Sequence, residues 1–346
     1  MADLLPKQLR VVAIGGGTGL STLLRGLKRY VATPTGTPAL ADANCKDLPC
    51  LIRELSAIVT VTDDGGSSGR LREDLKMLPP GDLRNCLVAL SEDEHLLSQL
   101  FQYRFATGDL QGHSFGNLFL AALTGITGDF AQAVQTSSQI LATRGRIYPS
   151  TTVNATLAAK MDDGTIVCGE TNISASKRSI IELMLDPADA GPLPETLDAI
   201  AQADLITLGP GSLYTSLITN LLVSGIPEAL ASSSATRVYI CNLMTQANES
   251  LGLTASQHIE KILDHAGAKI FDYALINTSP ILPATVEQYA RFGQTPIEPD
   301  LERIRSLGVE PITGNFVHEG EVLRHSYDFV AETVLNLAQP VPTSLA

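Results

Sequence analysis

Residues 11–20 have the sequence VVAIGGGTGL, in which a short apolar run ends in glycines. A continuous run of Val, Ala and Ile is typical of a strand that is buried on both faces of a parallel sheet. Leu20, Leu23, Leu24 and Leu27 follow at helical spacing. The order strand, glycine loop, helix predicts the start of an α/β fold with a parallel sheet.

The same alternation continues along the chain. Further short strands are predicted at 57–61, 151–160, 165–170, 205–208, 238–242, 273–277 and 322–324, and a closing helix at 327–337. Between residues 71 and 145 the leucines lie at helical spacing, which predicts a helical insertion or cap. Residues 31–50 are rich in Thr, Pro and Ala, and we expect an irregular loop there. The chain is therefore predicted to be one α/β domain over residues 8–346, with a doubly wound, mainly parallel sheet.

Composition excludes several classes of function. The chain has 346 residues, a net charge of −13 and 18% charged residues. Such a negative chain lacks the positive field that binding to nucleic acid or to an anionic membrane requires. The first ten residues contain no apolar core of a signal peptide. The uncharged run 205–227 contains a Gly-Pro-Gly-Ser loop and Asn220, so we predict a buried strand, a loop and a helix there. We expect a cytoplasmic protein without membrane insertion.

The five cysteines form no C-x-x-C pair, and none lies near a histidine at zinc spacing. We expect them to be reduced thiols, as in most cytosolic proteins.

A first candidate phosphate site is the glycine loop that follows the first strand, formed by Gly15, Gly16, Gly17, Thr18 and Gly19. Glycines let the backbone approach a phosphate, and the N-terminus of the following helix supplies N–H groups. Thr18 adds a hydroxyl. The pattern differs from the dinucleotide fingerprint, because Leu20 stands at the sixth position, and from a Walker A loop, because no lysine follows. A tight turn without a ligand is the alternative.

A second glycine loop, Gly209-Pro210-Gly211-Ser212, follows another short strand. Ser212 could cap the next helix and still contact an oxyanion. Two such loops would suit a diphosphate, and a plain helix cap is the alternative. Two later strand ends supply further candidates, which are Asn242 and Thr245 for a base or sugar and Arg324 for the ligand crevice.

An acidic loop follows the second strand. Asp63 and Asp64 could hold Mg²⁺, or Asp63 could accept a hydrogen bond from a ribose, and ordinary turn chemistry is the alternative. Asp82 is predicted to be a helix N-cap, and Arg84 is a candidate phosphate contact. His113 begins another helix among Gly, Ser and Asn, so it could move a proton or be structural.

Eight segments, taken in this order, resemble the bacterial gluconeogenesis factor family, which belongs to the 2-phospho-L-lactate transferase-like (CofD-like) superfamily. The segments are 15–19, 59–72, 79–90, 113–123, 127–130, 144–151, 203–215 and 241–246. The resemblance covers about residues 11–337 and implies a Rossmann-like α/β fold and a cytoplasmic protein.

The resemblance implies a different function for each branch of the superfamily. The bacterial branch binds UDP-sugars such as UDP-N-acetylglucosamine, and it is associated with cell shape and wall synthesis during growth on gluconeogenic carbon sources. The transferase branch moves 2-phospholactate from a guanosine diphosphate carrier onto a deazaflavin with Mg²⁺. Residues 15–18 and 209–212 match the phosphate-facing loops of the family, and Asp63 and Asp64 match its acidic loop. Arg324 matches an arginine that faces the nucleotide-sugar.

Two departures from the family pattern stand out. The segment 247–250 is Ala-Asn-Glu-Ser, where the family usually has Pro-Gly-Glu-Thr. Tyr327 replaces a threonine that often lies three residues after the matching arginine, which places any phosphorylation switch at that position in doubt.

Two hypotheses about function follow. The first is a binding protein that holds a UDP-sugar on the two glycine loops, requires no cofactor and reports metabolic state to cell-wall synthesis. The second is a Mg²⁺-dependent phosphotransferase, in which Asp63 and Asp64 hold the metal and His113 moves a proton. A dinucleotide-binding protein that uses Asp63 is a third reading. The expected partner is a UDP-sugar or another nucleoside diphosphate, with the cell-wall synthesis machinery and a homodimer left open.

Overall fold

The computed structural model describes residues 8–32, 48–92 and 94–339. The strands in these residues are β1 (Leu9–Gly15), β2 (Ile52–Val59), β3 (Arg146–Pro149), β4 (Thr156–Met161), β5 (Ile166–Cys168), β6 (Ile180–Asp186), β7 (Leu205–Leu208), β8 (Thr236–Ile240), β9 (Tyr273–Asn277), β10 (Glu310–Gly314), β11 (Val317–Glu319) and β12 (Leu323–His325). Seven of them form the central sheet, in the order β10-β9-β8-β7-β1-β2-β3. Every neighbouring pair in this sheet is parallel.

The helices of the described residues flank this sheet. They are α1 (Gly17–Lys28), α2 (Gly66–Leu75), α3 (Gly81–Leu90), α4 (Glu94–Gln102), α5 (Phe115–Thr127), α6 (Phe130–Ile140), α7 (Glu170–Ala175), α8 (Pro194–Gln202), a π-helical turn (Leu213–Ile218), α9 (Thr219–Leu221), α10 (Ile226–Ser232), α11 (Ala255–Ala266), α12 (Pro283–Ala290), α13 (Leu301–Ser306) and α14 (Tyr327–Ala338).

Two apolar cores lie on the two faces of the sheet. Alternate residues of β1 belong to different cores, with Val11 and Ala13 in one and Val12 and Ile14 in the other. On the first side α1 packs against α3 and α14, and on the second side the π-helical turn packs against α11. A strand buried on both faces needs apolar residues at every position, which is why the run 11–14 has no polar alternation. The predicted α/β class with a mainly parallel, doubly wound sheet is confirmed.

The chain changes direction across the sheet beside β1. It proceeds from β1 to β2 and β3 on one side, and returns to place β7 on the other side of β1. In open parallel sheets such a reversal leaves a crevice beyond the carboxyl ends of the two strands, and ligands bind there. The two glycine loops directly follow β1 and β7, so both open at this crevice.

Some elements differ from the sequence pattern. Helices α2 to α6 lie between β2 and β3. The sequence pattern did not predict the strands β3, β6 and β10. The small antiparallel sheet has the order β5-β4-β6. The strand expected at 322–324 pairs with β11 in a separate antiparallel ribbon rather than in the central sheet. Most of the predicted loop 31–50 lies outside the described residues.

Two further expectations can be compared with the described residues. No helix among them combines the length and the hydropathy that a membrane crossing needs. Cys86, Cys168 and Cys241 are free thiols. Cys50 is disulfide-bonded, so the expectation of reduced thiols is wrong for that residue.

Candidate functional site

The first glycine loop joins β1 to α1 in a tight backbone turn. Gly17 has a φ of +60°, a conformation that favours glycine. A Cβ on Gly19 would lie only 2.2 Å from the carbonyl oxygen of Pro210, so the two glycine loops touch through their backbones. The N-cap of α1 is Gly16, which has no side chain to cap the helix, and the first turn carries no acidic residue. The N–H of Gly17 donates to the carboxyl of Asp82. The N–H groups of Thr18 and Gly19 therefore remain for a ligand.

The second glycine loop is closed by the protein's own side chains. Asn242 Oδ1 accepts from the N–H of Gly211 (3.4 Å), and Gln246 Oε1 accepts from the N–H of Leu213 (3.3 Å). Glu249 Oε2 accepts from the N–H of Tyr214 at 3.3 Å. These side chains satisfy donors that a phosphate would otherwise use.

Glu249 also accepts from the Thr215 hydroxyl at 3.2 Å, so its carboxylate spans the start of the π-helical turn. Burial raises the pKa of Glu249, and the hydrogen bonds from Tyr214 and Thr215 oppose that rise. Ser212 does not cap the helix as expected. Its hydroxyl instead accepts from Gln246 Nε2 at 2.9 Å. The second loop is thus built as a structural support for the first.

A cavity of about 320 Å³ opens at the reversal point of the sheet. It is lined by residues of both glycine loops, by the segment after β8, by α12 and by the ribbon: Gly16, Gly17, Thr18, Gly19, Thr22, Pro210, Gly211, Ser212, Ser216, Asn242, Leu243, Met244, Gln246, Tyr289, Leu323, Arg324 and His325. We call this cavity the cleft. Its size and its position beyond β1 and β7 fit a small-molecule ligand.

Arg324 is an exposed cation on the rim of the cleft. Its neighbour His325 hydrogen-bonds through Nε2 to the carbonyl oxygen of Cys241 at 3.0 Å. Burial lowers the pKa of His325 to about 4, so the imidazole is neutral at pH 7. Arg324 therefore supplies the positive charge that the ribbon brings to the cleft.

A buried carboxyl lies beneath the first glycine loop. Asp82 is the second residue of α3, whose N-cap is Pro80, so the predicted capping role of Asp82 is wrong. A Cβ on Gly16 would lie 2.7 Å from Asp82 Oδ2. Burial, and to a smaller extent the negative charge of Asp63, raise the pKa of Asp82 to about 6, although a hydrogen bond from the Gly17 N–H opposes both effects.

Asp63 and Asp64 point to different partners. Asp63 Oδ1 accepts from the N–H of Gly65 at 2.9 Å. Asp64 Oδ1 accepts from both the N–H and the hydroxyl of Thr171, at 2.8 and 2.6 Å, and so holds the start of α7. Within the described residues no three His, Cys, Asp or Glu side chains are grouped to hold a metal ion. A Mg²⁺ here would fit only with phosphate oxygens and water as additional ligands.

Glu170 shares this acidic region. Burial raises its pKa most, and the charges of Asp63, Asp82, Glu249 and Asp64 contribute in that order, so that the pKa reaches about 9. Glu170 is therefore protonated at pH 7.

His113 belongs to a buried network beside the acidic loop. Its Nδ1 lies 3.1 Å from the hydroxyl of Ser67, which also accepts from Asn117 at 3.2 Å. Burial lowers the pKa of His113, and the charge of Arg70 lowers it further. Arg84 donates to Ser114 at 2.8 Å and to Asn117 at 3.2 Å instead of reaching the cleft.

The structure thus divides the predicted site residues into three groups. Eight of them line the cleft, which are Gly16, Gly17, Thr18, Gly19, Gly211, Ser212, Asn242 and Arg324. Gly15, Gly209 and Thr245 lie behind this surface, and the hydroxyl of Thr245 accepts from the N–H of Thr295. Asp63, Asp64 and His113 lie on the side of β2.

Two residues of the cleft region, Glu249 and Tyr289, were not predicted from the sequence. Gln246 and Glu249 act on a loop more than 30 residues away, and the glutamate that the segment 247–250 shares with the family pattern was the available signal. Tyr289 lies on an exposed helix with no motif around it.

Comparisons with known proteins agree with this fold. The model of the family described as 2-phospho-L-lactate transferase CofD matches residues 11–317. The gluconeogenesis factor of Halalkalibacterium halodurans is 47% identical over 95% of this chain and 96% of its own length. The gluconeogenesis factor of Bacillus subtilis is 43% identical over 95% of this chain and 98% of its own length. A crystal structure of a UPF0052 family member from Bacillus halodurans superposes with a TM-score of 0.87 at 47% identity, covering 95% of this chain and 99% of that one.

Proposed function

The chain belongs to the gluconeogenesis factor family within the CofD superfamily, and from that premise we propose that it is a cytoplasmic protein that binds a UDP-sugar such as UDP-N-acetylglucosamine. In this proposal the protein, with the UDP-sugar bound to it, acts on cell-wall synthesis and cell shape during gluconeogenic growth. It needs no cofactor for binding.

The observation that supports this proposal most is the uncapped N-terminus of α1, which opens into the cleft at the reversal point of the sheet. Free N–H groups and the positive end of a helix dipole favour phosphate oxygens. Arg324 adds an exposed positive charge on the rim. The wall of the cleft is partly polar and partly apolar, so one cavity would suit both the diphosphate and the nucleoside of such a ligand.

Calorimetric titration with UDP-N-acetylglucosamine, with and without Mg²⁺, tests the proposal. We expect saturable binding that does not depend on Mg²⁺. Arg324→Ala removes a charge-assisted phosphate contact and is expected to weaken binding roughly ten- to hundredfold. Arg305→Ala, an exposed arginine on α13, is the matched control and should bind like the unmodified chain. Lack of binding at millimolar UDP-sugar overturns the proposal.

A second candidate function is a Mg²⁺-dependent phosphotransferase, and the acidic region favours it. The charge of Asp63 raises the pKa of both Asp82 and Glu170, and the charge of Asp82 also raises the pKa of Glu170. A Mg²⁺ bound by the ligand phosphates would polarise the phosphoryl group. Asp63 would then contact the metal, and His113, neutral at pH 7, would accept a proton.

Turnover assays with uridine- and guanosine-linked donors separate the two candidates. Product formation that requires Mg²⁺ and is lost in Asp63→Asn favours the enzyme. Asp64→Asn is the control, because Asp64 is engaged by Thr171 and its substitution acts on α7 instead of on a metal. Absence of product with both donors counts against the enzyme.

A further inference from the structure

A second group of polar side chains lies on the central sheet, away from the cleft. Side chains alternate along a strand, so Arg10 of β1 lies on the same face as Val12 and Ile14, which belong to an apolar core. The neighbouring strands add further polar residues to this face, which are Glu54 and Ser56 of β2 and Arg146 and Tyr148 of β3. An otherwise apolar face therefore becomes polar toward the amino ends of the strands.

These side chains line a cavity of about 190 Å³, which we call the sheet cavity. Helix α8 forms its opposite wall through Glu195, Asp198, Ala199 and Gln202. Positions three and four apart share one face of a helix, and the other face of α8 buries Thr196 and Ile200. The sheet cavity thus lies between α8 and the first halves of the strands, at the opposite end of the sheet from the cleft.

The protein itself satisfies few of the polar groups that line the sheet cavity. Ser56 and Tyr148 are buried, yet neither hydroxyl forms a hydrogen bond to a described residue. Arg10 Nε lies 3.9 Å from Glu54 Oε2, which is too long for a hydrogen bond, and this buried nitrogen has no other acceptor in the described part of the chain. Buried polar groups normally have partners, so unsatisfied groups around a cavity indicate a place for a ligand.

Charges of both signs face the sheet cavity without pairing. Arg146, Glu195 and Asp198 are exposed at its rim. Within residues 8–32, 48–92 and 94–339, none of these three side chains forms a hydrogen bond or an ion pair. A ligand with a single charge would satisfy one sign and bring its own charge close to the like sign. A zwitterion satisfies both, because its carboxylate suits the arginine and its ammonium group suits the two acids.

The sheet cavity continues around the edge of the sheet. Strand β3 is the last strand of the central sheet, and a cavity of about 420 Å³, which we call the edge cavity, lies beside it. Both cavities are lined by Arg146, Tyr148 and Glu195, so they adjoin. Helix α6 lines the edge cavity with Gln135, Ser138 and Gln139. The buried hydroxyl of Ser138 has no partner among the described residues. Amide and hydroxyl groups of this kind suit a polar, uncharged group.

We propose that the two adjoining cavities form a second binding site, which takes a free α-amino acid with a polar, uncharged side chain. The carboxylate of the amino acid binds Arg146, its ammonium group binds Glu195 and Asp198, and its side chain enters the edge cavity. The sheet cavity is smaller than the roughly 300–1,000 Å³ of sites for larger ligands, which suits the compact zwitterionic end of an amino acid. This site does not depend on the function proposed for the cleft.

A screen with free amino acids tests the site on the full chain. Thermal unfolding is measured with each proteinogenic L-amino acid at about 10 mM, and those that raise the melting temperature are titrated by calorimetry. We expect saturable binding of an amino acid that carries an amide or a hydroxyl. Its analogues without the ammonium group or without the carboxylate should bind at least about tenfold more weakly. If no amino acid binds, or if either analogue binds as tightly as the amino acid, the proposal is overturned.

Two substitutions locate the bound amino acid. Arg146→Ala and Glu195→Gln should each weaken its binding roughly ten- to hundredfold. Arg53→Ala is the control for the first, because Arg53 is an exposed arginine of β2 that lines neither cavity. Glu228→Gln is the control for the second, because Glu228 lies in the first turn of α10 as Glu195 does in α8. Both controls should bind within about twofold of the unmodified chain.

Melting temperatures without ligand separate binding from folding. The substituted side chains are exposed, so all four variants should unfold near the temperature of the unmodified chain. If Arg146→Ala and Glu195→Gln bind the amino acid as their controls do, the amino acid binds elsewhere and the inference is wrong.

Discussion

The two glycine loops follow neighbouring parallel strands and touch each other, yet they differ in what satisfies their backbone donors. In the first loop the N-cap Gly16 makes no side-chain hydrogen bond, and the N–H of Gly17 donates to Asp82. The second has its N–H groups bonded to Asn242, Gln246 and Glu249. Similar sequence motifs thus produce one loop that leaves the N–H groups of Thr18 and Gly19 for an anion and one in which three N–H groups are bonded to the protein's own side chains. A glycine loop before a helix therefore indicates a binding site only when the rest of the fold leaves its donors free.

The largest expected effect comes from separating the two loops. Gly19→Ala would place a Cβ 2.2 Å from the Pro210 carbonyl oxygen, a backbone atom that cannot rotate away. We expect a loss of about 3 kcal/mol in the free energy of unfolding, near the upper end for overpacking, together with loss of UDP-sugar binding. Urea unfolding followed by circular dichroism, with calorimetric titration, measures both.

Gly125→Ala is the matched control for this substitution. Gly125 lies inside α5, and a Cβ there meets open space. Alanine should stabilise that helix by about 0.5–1 kcal/mol. If Gly19→Ala unfolds at the same urea concentration as Gly125→Ala, the close contact between the loops is wrong.

The next effect concerns the carboxyl beneath the open loop and depends on pH. The folded protein holds the Asp82 proton up to a pKa of about 6, above the ordinary value of 3.8. This contribution to stability is complete below about pH 4 and is lost as the pH rises to about 6. Asp82→Asn removes the titration, so its stability relative to the unmodified chain should rise over this range by up to about 3 kcal/mol.

Asp82→Asn also distinguishes the two candidate functions. Without the carboxylate beside the phosphate loop, UDP-sugar affinity at pH 7.5 should increase by about 1 kcal/mol, roughly fivefold. A stability difference that is flat between pH 4 and 7 contradicts the buried carboxyl. Loss of Mg²⁺-dependent binding in this variant would instead favour the phosphotransferase.

A smaller effect is expected at the closed loop. Glu249→Ala leaves the N–H of Tyr214 and the hydroxyl of Thr215 without their acceptor, which should cost about 1–3 kcal/mol of stability. Glu249→Gln keeps an acceptor and should cost less. Thermal unfolding compares both with Glu302→Ala, whose side chain is 91% exposed and should matter by less than about 0.5 kcal/mol. Equal stability of Glu249→Ala and Glu302→Ala would show that Glu249 is not the acceptor for these two groups.

The smallest effect compares one hydroxyl from each loop. Thr18 is exposed in the open loop, and Thr18→Val should weaken UDP-sugar binding by about 1 kcal/mol, roughly fivefold. Ser212 is engaged by Gln246, so Ser212→Ala should bind within about twofold of the unmodified chain. Calorimetry on the two variants checks the pair. A larger loss for Ser212→Ala than for Thr18→Val would reverse the assignment of open and closed loops.

The parts of the fold that the sequence predicted are those with local signals. The apolar run 11–14 and the leucines of α1 indicate a buried strand and its helix by periodicity alone, and both are confirmed. Strand β3 has only four residues and begins with Arg146, and β10 begins with Glu310 and contains Pro311, so neither has a continuous apolar run. Their pairing with parallel neighbours in the central sheet defines them.

In the candidate site, too, the sequence predicted the residues that follow strand ends but not the contacts between distant segments. Residues 16–19 and 211–212 line the cleft because strand ends in a parallel sheet converge at one edge. Arg324 lines it for a different reason, since its strand belongs to the ribbon and not to the sheet. Whether a loop is open depends on Glu249, which is distant in the sequence, and no local pattern contains that contact.

The central position of β1 has a consequence for biosynthesis. The N–H of Arg10, in β1, bonds to Asp204, which is 194 residues later in the chain. At roughly 5–20 residues per second, a ribosome needs about 10–40 seconds to make the intervening chain. During this time the strand made first keeps one unpaired edge, with apolar residues on both faces. The nascent chain is therefore a natural client for chaperones that cover exposed strand edges until β7 emerges.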